Sequence, residues 1–351
     1  DRPGRDIPSI SLGSELNFKK FIPGGFFWTP RTDENDLALY GFYEKNFKSF
    51  DLLSAFRIGQ VLIQPEILWS FSNLDDNSVT EKKFQYFSTS IGLKKIFHQF
   101  EFNTWLMHNM KAPRVEELYS DGPHLGTYAY EIGYPDLKLE ETFGLEHSIR
   151  YSLSSLNISL STFYNYSPYY YQMTKMGHCQ GEFIKGQSHP CAGSDFIEWG
   201  SGSAGWLYKY DTQGVESVIK GVEFNAQYNF SNYNITYDFS YVQGDDFTNN
   251  RPLSYINPTK NILHLKYEKE LMKFGLRFKS IHSQNRLGEF ESATPSAFLV
   301  DIINSYSNNN HNITIQLKNI FNQEYYNHLS KIKSIMPEPG INVLINYKLF
   351  L

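Results

Sequence analysis

A chain whose apolar residues fall on every second position, in about fourteen segments joined by connections that are alternately very short and very long, has few folds open to it. The last segment shows the alternation most plainly. Ile341, Val343, Ile345, Tyr347, Leu349 and Leu351 share one face, and Asn342, Asn346 and Lys348 the other. Tyr233, Ile235, Tyr237, Phe239 and Tyr241 alternate in the same way with Asn234, Thr236, Asp238 and Ser240, as do Val222, Phe224, Ala226 and Tyr228 with Glu223, Asn225 and Gln227. Side chains of a strand point alternately to its two faces, so each segment presents one face to an apolar medium and one to water. A soluble sandwich alternates too, and the connections separate the two cases. Hairpins are expected near Lys48-Ser49, Lys94-Lys95, Ser154-Ser155, Ser231-Asn232, Glu270-Leu271 and Asn308-Asn310. Between them lie polar excursions over 17–36, 66–82, 108–138, 168–207, 243–261, 283–296 and 321–340. Short turns on one side and long loops on the other describe a transmembrane antiparallel β-barrel, here one all-β unit over residues 1–351 with both ends on the short-turn, periplasmic side.

Composition agrees with this reading. Hydrophobic residues make up 41% of the chain and the mean hydropathy is -0.43. No apolar run reaches the roughly 18 residues that a spanning helix needs, whereas a barrel strand needs an apolar residue only at every second position. The 25 Tyr and 28 Phe fit aromatic girdles at two membrane interfaces. A net charge of -5 without a basic block argues against nucleic acid as partner. The chain opens at Asp1 without an apolar leader, which marks a processed chain or a piece of a longer one. The run Gly200-Ser201-Gly202-Ser203-Ala204-Gly205 lacks the Lys and following helix of a phosphate loop and reads as a loop tip.

Met110-Lys111-Ala112-Pro113, then Glu116-Glu117-Leu118-Tyr119, then Tyr134-Pro135-Asp136-Leu137-Lys138-Leu139-Glu140 resemble the paired boxes of TonB-dependent outer-membrane receptors, which bracket one outer loop. Lys111 stands where that family usually has Arg, and Tyr134 where it has Asn. Lys318-Asn319-Ile320-Phe321-Asn322-Gln323-Glu324-Tyr325-Tyr326-Asn327-His328, followed by Pro337-Glu338-Pro339-Gly340 and a closing strand, is similar to the family's last outer loop. The resemblance implies a Gram-negative outer membrane, a barrel of twenty-two strands and an N-terminal plug. Neither plug nor TonB-binding box is recognisable here, so the chain is expected to be the C-terminal part of such a barrel, with its missing N-terminal wall and plug elsewhere. An autonomous fourteen-strand barrel, closed by pairing Ile10 to Phe18 with Ile341 to Phe350, is the alternative.

Two constellations could carry chemistry. The loop between the boxes holds Asp121, His124 and Glu131. The resemblance is to receptors for zinc and for haem, and imidazole suits either metal. The competing expectation is that Gly122-Pro123 makes a turn and His124 packs beneath the loop. The second is His178, Cys179, His189 and Cys191 within one long loop. It reads as a Cys179–Cys191 disulfide with His178 and His189 as metal contacts, or as a closed Cys₂His₂ site, and the two exclude each other because an oxidised pair offers no thiolate. Tyr164, Tyr166, Tyr169, Tyr170 and Tyr171 are expected mainly in the outer girdle, with a few rings free to stack on a flat ligand such as a porphyrin, and His328 on the rim. Asp121 and His124 are the one pair to suspect of catalysis, and no motif places a nucleophile beside them, so no enzyme is expected.

By this resemblance the function is uptake of a scarce nutrient, energised by the inner-membrane TonB-ExbB-ExbD complex through a plug outside this chain. A divalent metal such as zinc is the first expectation for the transported ligand, haem the second, and an iron siderophore the third. No bound cofactor is expected. A passive porin or structural barrel embedded in outer-membrane lipid is the reading of a different class.

Overall fold

A computed structural model describes residues 7–24, 29–66, 78–124, 126, 129–177, 197–199, 206–289, 291–333 and 335–350. They form a single eighteen-stranded sheet. In chain order the elements are β1 (Ser9–Phe21), β2 (Thr32–Asn46), β3 (Asp51–Pro65), β4 (Lys82–Phe97), β5 (Phe100–Lys111), helix α1 (Val115–Tyr119), β6 (Asp121–His124), β7 (Ala129–Ile132), β8 (Glu140–Ser152), β9 (Leu156–Lys175), β10 (Ile197–Trp199), β11 (Trp206–Phe230), β12 (Tyr233–Asp246), β13 (Arg251–Pro252), β14 (Lys260–Lys269), β15 (Met272–Ile281), β16 (Ala297–Ser307), β17 (His311–Lys318) and β18 (Asn342–Leu349). Fourteen of these are long, and each pairs antiparallel with the next long strand; β6, β7, β10 and β13 are short additions within the long connections. No described helix is long and apolar enough to cross a membrane.

Register follows the apolar alternation. Tyr237 pairs with Ala226 and Leu263, and Asp238 with Asn225 and Ile262. Asn225 Nδ2 donates to Asp238 Oδ1 at 2.6 Å. Glu223, Asp238, Ser240 and Lys260 line a common cavity of about 260 Å³ on the concave side. Tyr233, Ile235 and Tyr241 stay exposed on the convex, apolar side. A slip by one residue would bring Asp238 into hydrocarbon at a cost of a few kcal/mol.

On the concave side of β1 to β4, Arg57 fastens the wall. Its Nη1 donates to Glu15 (2.7 Å), its Nη2 to Asp36 (3.2 Å) and its Nε to Tyr86 Oη (3.0 Å), while the Tyr86 hydroxyl donates to Asp36 (3.0 Å). Four strands are thus stitched by one guanidinium whose fork matches its acceptors.

The hairpin expected at Lys94-Lys95 lies four residues later, at His98-Gln99, with His98 in the left-handed region at φ 54°. Lys94 remains in the strand because its ammonium pairs with Glu101 at 3.0 Å across the ladder. Closure between the first and last strands is not seen among the described residues. Ile10 to Phe18 pair with Tyr43 to Asn35 of β2, and His311 to Lys318 pair with β18, leaving one edge of β1 and one edge of β18 without a strand. Both strands are exposed along nearly their whole length.

Candidate functional site

The connection 112–139 folds over the long-loop rim. Its helix α1 is short, and its stability comes from packing rather than propensity. Val115, Leu118 and Tyr119 bury against Ala38, Val61, Ile63 and Tyr86 of the wall. The Arg114 N–H donates to Glu117 Oε2 at 2.7 Å and closes the first turn. Glu117 is half sunk, and burial raises its carboxyl above the usual range. Burial likewise raises the Tyr119 phenol, which donates to the Thr80 carbonyl at 2.6 Å. Gly133 lies against this helix so closely that a Cβ would stand 2.4 Å from the Leu118 carbonyl carbon and the Tyr119 nitrogen, so only glycine fits.

The two boxes meet at a residue outside both. Tyr171 Oη donates to the Lys138 carbonyl (2.5 Å) and accepts from the Glu140 N–H (2.9 Å), with the Lys111 carbonyl 3.2 Å away. The Lys111 ammonium rests over the Tyr171 ring at 5.0 Å. Tyr171 is therefore a buried clasp rather than a girdle ring. Nothing in the alternation of β9 marks it, because its partners come from distant segments.

The hairpin of β6 and β7 carries the first constellation. His124 Nδ1 lies 2.9 Å from Glu131 Oε1, and the His124 side chain is 38% exposed against 16% for Glu131. Asp121 is three residues from His124 on a strand and so points to the other face. It is 4% exposed and accepts a 3.0 Å hydrogen bond from the Tyr130 hydroxyl. His124 and Glu131 are brought together, then, while Asp121 fixes Tyr130. The Lys209 ammonium sits over the Tyr130 ring at 5.6 Å. β7 lies parallel to β11, pairing Ala129 to Ile132 with Tyr208 to Asp211, which joins the hairpin to the tall part of the wall. No group of three or more His, Cys, Asp or Glu arranged for a metal occurs among the described residues. His178, Cys179, His189 and Cys191 lie outside the described residues.

Across the rim, the loops 282–296 and 319–341 are fastened by a buried charged triad. His328, expected as a rim residue, is 2% exposed. Its Nε2 lies 3.1 Å from Glu291 Oε1, and its Nδ1 lies 3.0 Å from Lys333 Nζ and 2.7 Å from Thr294 Oγ1. Burial first, and the Lys333 charge second, lower the affinity of His328 for a proton. Glu291 also accepts the N–H groups of Tyr255 (2.6 Å) and Gly288 (2.9 Å). Burial pushes the Tyr255 phenol up to about 12. Glu289 next to it holds Arg251 (2.8 Å) and the Lys175 N–H (2.8 Å).

Residues 5–322 match the family described as TonB dependent receptor-like, beta-barrel. No curated protein matches the chain in sequence. Among solved structures, the copper transporter OprC is similar with a TM-score of 0.75 at 16% identity, over 92% of this chain and 50% of that one. The FrpB iron transporter from Neisseria meningitidis (F3-3 variant) is similar with a TM-score of 0.70 at 11% identity, over 99% and 53%. The siderophore receptor PirA from Acinetobacter baumannii has a TM-score of 0.62 at 12% identity, over 98% and 60%. The chain thus spans between half and three-fifths of the length of these structures, and the likeness is one of fold.

Proposed function

The chain belongs to the TonB-dependent receptor family through its β-barrel, and from that premise we propose that it forms wall and outer vestibule of an outer-membrane receptor that takes up a scarce metal nutrient. The remaining wall and a plug come from sequence other than these 351 residues, and the TonB-ExbB-ExbD complex energises passage through that plug. The barrel's own contribution is capture at the long-loop rim. The metals named in the similar structures, copper and iron, support a metal-bearing ligand.

The observation that carries the ligand reading is the His124–Glu131 pair at 2.9 Å on a hairpin whose two ends are tied by the Gly133 N–H donating to the Ser120 carbonyl (2.6 Å) at the end of helix α1. A carboxylate on one ring nitrogen orients the imidazole and raises its basicity toward a metal on the other. Zinc as a divalent ion and a metal already chelated, as haem or a ferric siderophore, both suit such a donor. Asp121 acts through Tyr130, which it holds beside Glu131 in β7. Isothermal titration of zinc and of haem into the complete receptor, with wild type and His124→Ala, tests this. We expect at least a tenfold loss of affinity for one of the two, with unchanged heat-modifiable mobility of the barrel. Equal affinities for both would return His124 to an ordinary loop role.

A further inference from the structure

The lumenal face of the β14–β15 hairpin carries a basic group at every rung. Five pairs of this hairpin face the lumen: Lys260 with Ile281, Ile262 with Lys279, His264 with Arg277, Lys266 with Gly275, and Glu268 with Lys273. Of the four intervening pairs, Leu263 with Phe278, Leu265 with Leu276 and Tyr267 with Phe274 are apolar and face outward, while the uppermost, Asn261 with Ser280, is polar. Lumenal rungs recur about every 6.8 Å along a strand, so the five extend for about 27 Å, close to the height of an apolar membrane band.

Level with the rungs the compensating acids are fewer. On the same face of the hairpin and its two neighbours stand Glu268, Asp238, Asp301 and, above the rungs and held by Arg251, Asp246, with Glu338 of the last loop acting on Lys279, against Lys260, Lys266, Lys273, Arg277 and Lys279. Arg277 is held by Asp301 (2.7 Å) and Lys273 by Glu268 (3.1 Å), while Lys260 donates to Asn257 (3.0 Å). Among the described residues Lys266 and Lys279 have no ion pair within 4.0 Å. This stripe stands out in a chain whose net charge is -5. The rung spacing is shorter than the roughly 8 Å screening length of physiological salt, so the fields of successive rungs overlap in a channel with low-dielectric walls.

We propose that this hairpin is an anion ladder, along which an anionic metal chelate passes from the long-loop rim to the short-turn rim. The proposal rests on the uptake reading and narrows its ligand: the ladder attracts a negatively charged complex and repels a bare divalent cation.

Gly275 offers a direct probe, since it lies opposite Lys266 and a Cβ there meets nothing nearer than 3.5 Å. Gly275→Cys in the complete receptor, in outer membranes, is labelled with an anionic (sulfonatoethyl) and a cationic (trimethylammonioethyl) methanethiosulfonate, after subtracting the parent chain's labelling. At low salt, and relative to a free thiol, we expect the anionic reagent to be favoured about tenfold. Lys266→Gln with Lys279→Gln should abolish the preference, Lys266→Arg should keep it, and inorganic pyrophosphate should slow anionic labelling. An equal or cation-favoured ratio overturns the ladder. Failure of both reagents overturns it as well, since a protein segment then covers the hairpin. Metal uptake by the same cells is scored separately, so that a working receptor without the anion preference refutes the ladder alone.

Discussion

His328 and Asn319 show at the scale of single residues what the sequence conceals and what it displays. The spacing of Asn319 and Asn322 before Pro337-Glu338-Pro339-Gly340 was legible as a motif, and its physical content is a set of bonds. Asn319 takes φ 50°, accepts the Gln323 N–H (3.0 Å) and donates to the Gln323 carbonyl (2.8 Å), while Asn322 accepts the Ile341 N–H (2.9 Å). His328 lies in the same loop, and its burial was not legible, because Glu291 and Thr294 reach it from another loop. The folded triad holds His328 with its proton affinity lowered, whereas the ring in an opened loop titrates near its ordinary 6.5. The opened state therefore takes up the proton first as pH falls, and the fastening weakens below about 6.5. Amide exchange over 319–333, corrected for intrinsic rates, should be faster at pH 5.5 than at 7.5, and His328→Gln should flatten that difference. A loop with the same protection at both values would show that the triad does not titrate in this range.

Strands repeat their pattern and were legible as elements; the folded connections do not repeat and were not. The hairpin expected near Lys94-Lys95 falls instead at His98-Gln99, because paired lysines look like a turn until the diagonal cross-strand partner Glu101 is known. The helix α1 and the Tyr171 clasp were invisible for a similar reason, since Tyr171 reaches partners 60 residues away. For the strands, cysteines at Thr236 and Tyr237 give a direct check: a water-soluble thiol reagent should label position 236 and spare 237, and the reverse would refute the register of β12. For the folded connection, Tyr119→Phe removes the bond to the carbonyl of the exposed Thr80, where water can replace the donor, which costs about 0.5 to 1.5 kcal/mol. We expect raised proteolytic sensitivity within 112–139 and an unchanged barrel. Cleavage as slow as in the wild type would mean that packing alone holds the helix.

For the whole molecule the informative feature is the pair of edges left open among the described residues. Fourteen long strands, alternating short and long connections and the polar lumen were all readable from periodicity. Whether the first and last strands close was not, because hydrogen bonding between edges depends on the curvature of the whole wall. Unsatisfied strand edges are costly in lipid, so the complete receptor should cover them with further strands. Hydrogen exchange over 9–21 and 342–349 is expected to be markedly slower in the complete receptor than in this chain alone in detergent micelles. Equal, strong protection in both would mean that the chain closes by itself. The wall is also very uneven in height. β11 has 25 residues and β14 has 10, contour lengths of about 83 and 33 Å. Even at a tilt of about 40°, β11 spans more than twice the roughly 25 Å apolar band. Its upper part, with the end of β9 and the hairpin of β6 and β7, is a ribbon raised beyond the band on the long-loop side. A large particle approaching from the long-loop side would meet that ribbon before the vestibule behind it.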